Sequence, residues 1–151
     1  MKRLFLLLLT IILLLSMASC GGYNGIMREH LSDEDNYYAI DAIFCSYKKA
    51  DNRIYLYVTI EDRSVFDFSE ANSETLRLEL VGGNCDAFDE ILAKADIREG
   101  DRIAVKCTTW IYLDSTYYYI AEIKTQDETL LPFKDGLANI VKYMNDHKSL
   151  F

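Results

Sequence analysis

The chain has 151 residues, half of them hydrophobic and 26% charged, enough for one ordinary domain with a real core and too few for two. One Pro and seven Gly exclude collagen-like, Pro-rich and low-complexity architectures. With 16 Lys+Arg against 24 Asp+Glu, the formal charge of -8 argues against nucleic acid and anionic membrane surfaces as partners, because both demand a clustered basic face.

The first segment is the most specific. Lys2 and Arg3 form a positive start, followed by the apolar run Leu4 to Leu15, broken only by Thr10. Twelve residues are too few to span a bilayer, which needs roughly 17–25, but they suit the hydrophobic region of a signal peptide. Ser16-Met17-Ala18-Ser19-Cys20-Gly21-Gly22 comes next, with small residues directly before a Cys. This order resembles the lipobox of bacterial lipoproteins, with Met17 in the slot usually held by Leu. The resemblance covers residues 1–22. It implies cleavage before Cys20, acylation there with chains such as palmitate, and a domain held outside the cytoplasm on the cell membrane or outer membrane. Removing residues 1–19 takes away Lys2 and Arg3 and moves the formal charge from -8 to -10.

Residues 20–36 read as the lipidated Cys and a flexible tether, polar and without period. Sixteen such residues reach roughly 20–25 Å. Asp33-Glu34-Asp35 lacks the Gly turn and closing Glu of a calcium loop and reads as solvated spacer.

The domain, 37–151, begins with period two. Tyr38 to Lys48 is a long strand in which the apolar parity changes from Ile40, Ala42 and Phe44 to Ile43, Cys45 and Tyr47, which predicts a bulge and a bend. After the turn Lys49–Asn52, Ile54 to Glu61 puts Ile54, Leu56, Val58 and Ile60 inward and Tyr55, Tyr57 and Thr59 outward. A polar loop over 62–73 carries Val65, Phe66 and Phe68. Leu76, Leu78 and Leu80 then alternate with Arg77 and Glu79 up to Gly82-Gly83. Phe88, Ile91, Leu92 and Ala95 fall on one stripe of a helix, with Asn84 or Asp86 as its cap. Glu99-Gly100-Asp101 turns into a strand over 102–113, with Ile103, Val105 and Cys107 inward. Asp114-Ser115-Thr116 turns into another over 117–124. An extended piece, 129–133, precedes a helix capped by Asp135 with the stripe Leu137, Ile140, Val141 and Met144.

The order β-β-β-α-β-β with a bent first strand resembles the OB-fold, a small five-stranded barrel with its helix between strands three and four. Residues 37–124 carry the resemblance, and the C-terminal helix is an addition. The fold class is therefore mainly β. The alternative is an α+β open sheet with both helices on one face.

Cys45, Cys85 and Cys107 remain after Cys20 is assigned to lipid. They form either three buried reduced thiols or one disulfide with a spare, and their spacing suits no zinc site. His30 and His147 are expected to be solvent-exposed. No catalytic set is recognisable: there is no nucleophile elbow, no His-Glu-x-x-His and no phosphate loop. No catalytic residue, metal or cofactor is assigned.

The conspicuous feature is tyrosine, eleven in all. The OB resemblance implies a binding face on strands two and three, which would show Tyr55, Tyr57, Arg77 and Glu79, with Trp110, Tyr112 and Tyr118 at its edge. Outward Tyr can equally cover a second layer such as the C-terminal helix. Lys48, Lys49 and Arg53 form the local basic cluster and suit solubility better than phosphate binding. The expectation is a non-catalytic binding or adaptor module for a peptide, glycan or protein of the cell envelope. The alternatives are a structural subunit of an envelope assembly and, less favoured, a cell-wall hydrolase.

Overall fold

The computed structural model describes residues 30–62, 75–83, 85–112 and 115–147, with backbone alone at 111 and 112. The expected signal segment, Cys20, the tether before residue 30, Val65, Phe66, Phe68, Asn84 and Asp114 lie outside the described residues, as does the Tyr112 side chain. Residues 30–32 are helical and Glu34–Asn36 form a 3-10 turn, so the expected tether carries structure at its end.

The strands are β1 (Tyr38–Ala50), β2 (Arg53–Ile60), β3 (Leu76–Val81), β4 (Arg102–Tyr112), β5 (Ser115–Lys124) and β6 (Thr129–Leu131). The helices are α1 (Cys85–Lys94) and α2 (Phe133–Asp146). The fold is mainly β, with the expected order and with α1 between β3 and β4. One sheet runs β3-β2-β1-β4-β5-β6 through antiparallel neighbours. A single parallel pair, Glu79 with Tyr119, joins β3 to β5 and makes a ring of five strands.

Alternation decides which side chains enter the ring. Ile40, Ala42 and Phe44 from β1, Ile54, Leu56 and Val58 from β2, and Ile103, Val105 and Cys107 from β4 are all buried in one cluster. The predicted bulge exists: Phe44 pairs with Val58 and Ser46 with Tyr57, leaving Cys45 as the extra residue. The Arg98–Asp101 turn docks on β1 beside it, where Phe44 donates its N–H to Asp101 O at 2.8 Å and Gly100 donates to Phe44 O at 2.9 Å. Gly100 stands at φ +97°, a backbone region that Gly alone enters cheaply.

Both helices correct their predicted stripes. In α1 the buried residues are Cys85, Phe88 and Leu92, and these close the ring interior. Ile91 is instead 39% exposed, because a helix meeting one end of a ring buries a narrower stripe. In α2 the buried residues are Gly136, Ile140, Tyr143 and Met144, while Leu137 and Val141 are half-buried. The helix starts at Phe133, with Pro132 rather than Asp135 in the cap position; Pro suits a helix start because its missing N–H has no partner to lose there.

Candidate functional site

The β2–β3 register sets Tyr55 opposite Glu79 and Tyr57 opposite Arg77. Tyr55 and Tyr57 are half-buried on the outer side, as their parity predicts. The Arg77 guanidinium lies 5.1 Å from the centre of the Tyr55 ring and reaches Glu79 Oε1 from Nη2 at 3.1 Å. Three of the expected site residues are thus brought into one contact set, with Tyr57 beside them in the register.

Glu79 departs from the expectation. It is outward by parity yet 1% exposed, so it is not displayed on the face. Arg53 Nη1 stands 3.3 Å from its Oε2, and Arg77 holds the other oxygen. Tyr143 of α2 accepts a hydrogen bond from Arg53 Nη2, and the Arg53 guanidinium lies 5.1 Å from the Tyr143 ring centre. Tyr143 meets Tyr119 edge-on at 5.7 Å and His147 at 4.2 Å. His147 is therefore half-buried, not solvent-exposed; its Nδ1 lies 2.9 Å from Tyr143 O. Burial pushes the phenols of Tyr119 and Tyr143 up, so both stay neutral beside the ion pairs.

The expected edge of the face is also redrawn. Tyr118 is buried in the ring core, since it shares parity with Ile120, and it cannot contact a ligand outside. Tyr117 and Tyr119 take the outward positions, stacked at 6.4 Å. Trp110 is half-buried opposite Tyr117 near the β4–β5 turn, and the Tyr112 backbone pairs with Ser115. The residues that sequence reasoning missed are Arg53, Tyr119 and Tyr143. Arg53 was legible in principle, because it shares the parity of Tyr55 and Tyr57.

The basic residues of the first hairpin do not act as one cluster. Lys49 is bonded to Asp86 at the start of α1, Arg53 is committed to Glu79, and Lys48 is exposed. Cys45, Cys85 and Cys107 are free thiols. Cys45 is half-buried with Sγ 3.4 Å from Thr59 Oγ1. Burial raises the thiol of Cys85 and pushes that of Cys107 up to about 12, which keeps both protonated and unreactive.

Among the described residues, no three His, Cys, Asp or Glu side chains gather closely enough to hold a metal, and no helix is long and apolar enough to cross a membrane. The arrangement of Tyr55, Tyr57 and Arg77 suits recognition: two rings and a guanidinium held in place by Glu79, with the Arg77 side chain 50% exposed. No protein-family profile, curated protein or solved structure matches the chain.

Proposed function

We propose that this chain is a bacterial lipoprotein, anchored through lipid on Cys20, whose extracytoplasmic domain is a non-catalytic binding or adaptor module for a protein, peptide or glycan of the cell envelope. The anchoring half rests on the order of Lys2-Arg3, the apolar run and Ala18-Ser19-Cys20. Two or three acyl chains, at about 0.8 kcal/mol per buried methylene, would hold the domain firmly on a membrane.

One observation carries the binding half. Arg77 is clamped between the Tyr55 ring and the buried Glu79 carboxylate while half of its side chain remains exposed. A guanidinium ordered in this way loses little conformational entropy when it meets a partner, and the adjacent Tyr55 and Tyr57 add rigid contact area. The test is cross-linking of the lipidated protein in cells, with mass spectrometry of the captured molecules. Capture should disappear in Cys20→Ser, which removes the anchor, and in the Tyr55→Ala/Tyr57→Ala variant, which should stay folded. Capture that survives the double substitution would put the binding surface elsewhere.

A further inference from the structure

A second surface lies on different strands, the outer side of β1, β4 and β5. The registers arrange its outward residues in rows across the strands. Lys124, Ala104 and Asp41 form one row; Glu122, Lys106 and Ala39 form the next. Ala104 in the first row and Ala39 in the second are exposed, so methyl groups floor the face at these points; Lys106, in the middle of the second row, lines the smaller hollow with its ammonium 5.2 Å from the centre of the Phe133 ring. Two adjoining hollows result, of about 250 Å³ and about 190 Å³, and they share Asp41 and Ala104.

The walls are neutralised internally. Arg102 is bonded to Glu61 at 2.9 Å, and Lys124 to Glu122 at 2.9 Å. The β5–β6 turn, which supplies Thr125 and Gln126 to the larger hollow, is held by Thr125 Oγ1, which accepts the N–H groups of Asp127 and Glu128 at 3.3 and 3.1 Å. The trough is therefore preformed. Asp41 differs from the other acids lining it: the residue directly opposite on β4 is Ala104, and its carboxylate is exposed. On the other side of Ala104, the Lys124 side chain is 45% exposed, and an ammonium bonded once to Glu122 keeps two further donors.

Asp41 and Lys124 thus stand as anion and cation on either side of a methyl floor. Their strands are two sheet spacings apart, about 10 Å. We propose that this trough binds a zwitterion of dipeptide length, with its ammonium on Asp41, its carboxylate on Lys124 and its peptide unit over Ala104. Length selects the class. Two extended residues place their terminal charges roughly 6–7 Å apart, a span suited to two side chains whose strands stand about 10 Å apart. Charge selects it too, since a formal charge of -8 repels a simple anion while a zwitterion carries no net charge. The inference does not depend on the binding role proposed for Tyr55 and Arg77.

The test is a titration of the full chain in detergent micelles with L-alanyl-L-alanine, followed by amide chemical shifts. The blocked analogues are N-acetyl-dialanine, which lacks the ammonium, and dialanine amide, which lacks the carboxylate. Dialanine should shift amides in 39–43, 102–106 and 122–126 saturably, and each blocked form should bind about ten-fold more weakly or worse. Asp41→Asn, a change at an exposed position, should weaken dialanine by a similar factor and abolish the preference for a free ammonium. Lys124→Gln should abolish the preference for a free carboxylate, and Ala104→Leu should block the floor while leaving the charges. Absence of a saturable response to dialanine, equal binding of the blocked forms, or indifference to Asp41→Asn would each overturn the proposal.

Discussion

Glu79 concentrates the electrostatics of the outer face in one residue. A carboxylate that is 1% exposed is costly to bury, and two guanidiniums offset the cost, Arg53 at 3.3 Å and Arg77 at 3.1 Å. The arrangement carries two cations for one anion, so removing Glu79 leaves both without their counter-charge. Glu79→Ala should destabilise the domain by about 3 kcal/mol, the low end for breaking a buried pair, since Arg77 can turn to water. Urea unfolding measures this, and double-mutant cycles apportion it. Coupling of Glu79 to Arg53, whose side chain is 30% exposed, should exceed coupling to Arg77, which is 50% exposed. Equal couplings would mean that burial by α2 contributes nothing to the pair. This part of the site was half legible in sequence. Parity places Tyr55, Tyr57, Arg77 and Glu79 on one side of β2 and β3, and they lie there. Parity says nothing about what covers that side, so the burial of Glu79 and the role of Arg53 depend on a helix more than fifty residues further along the chain.

At the scale of elements, α2 is seated by glycine. Ala121 is the extra residue where β5 shifts register against β4, between the pairs Lys106–Glu122 and Cys107–Ile120. Gly136 packs directly on this bulge: a Cβ built there would lie 2.0 Å from Ala121 O. About one turn further along the helix, Gly82, at φ +70°, leaves room for the Asn139 carbonyl, which a Cβ would approach to 2.0 Å. Gly136 makes the sharper test because it is helical. In a free helix Gly→Ala stabilises by about 1 kcal/mol, so a seated and an unseated α2 predict opposite signs. Gly136→Ala should lower the melting temperature and speed hydrogen exchange throughout α2, with loss of the Arg53–Tyr143 contact. A raised melting temperature would refute tight seating. The same helix shows why element-scale reading succeeds for the strands and slips here. A strand that lines the ring declares its inner face through period two, and the parity change at Ile43-Phe44-Cys45 even locates the bulge. The buried stripe of α2 runs through Gly136 and Tyr143, which a search for aliphatic periodicity passes over in favour of Leu137 and Val141.

For the whole molecule, the consequence of so many buried thiols and phenols is a stability that falls at alkaline pH. Burial pushes Cys107 from 9.0 up to about 12 and Tyr37 from 10.0 up to about 12, and it raises Cys85, Tyr119 and Tyr143 as well. All are neutral when protonated and charged when not. Once the pH passes 9, the unfolded chain releases these protons while the folded one retains them, so the native state binds more protons and stability falls as pH rises. Below that pH both states hold the protons and the groups add no pH dependence. Each fully buried group contributes a slope of about 1.4 kcal/mol per pH unit while its unfolded form is ionised and its folded form is not. Cys107, at 0% exposure, is the cleanest case. Unfolding in urea under reducing conditions should show flat stability from pH 7 to 8 and a decline from pH 9 to 11. Cys107→Val fills nearly the same space without a titrating group and should reduce that slope by about one group's share, about 1.4 kcal/mol per pH unit. An unchanged slope in the valine variant would mean that the thiol ionises in place, and therefore that the ring interior around β4 admits water.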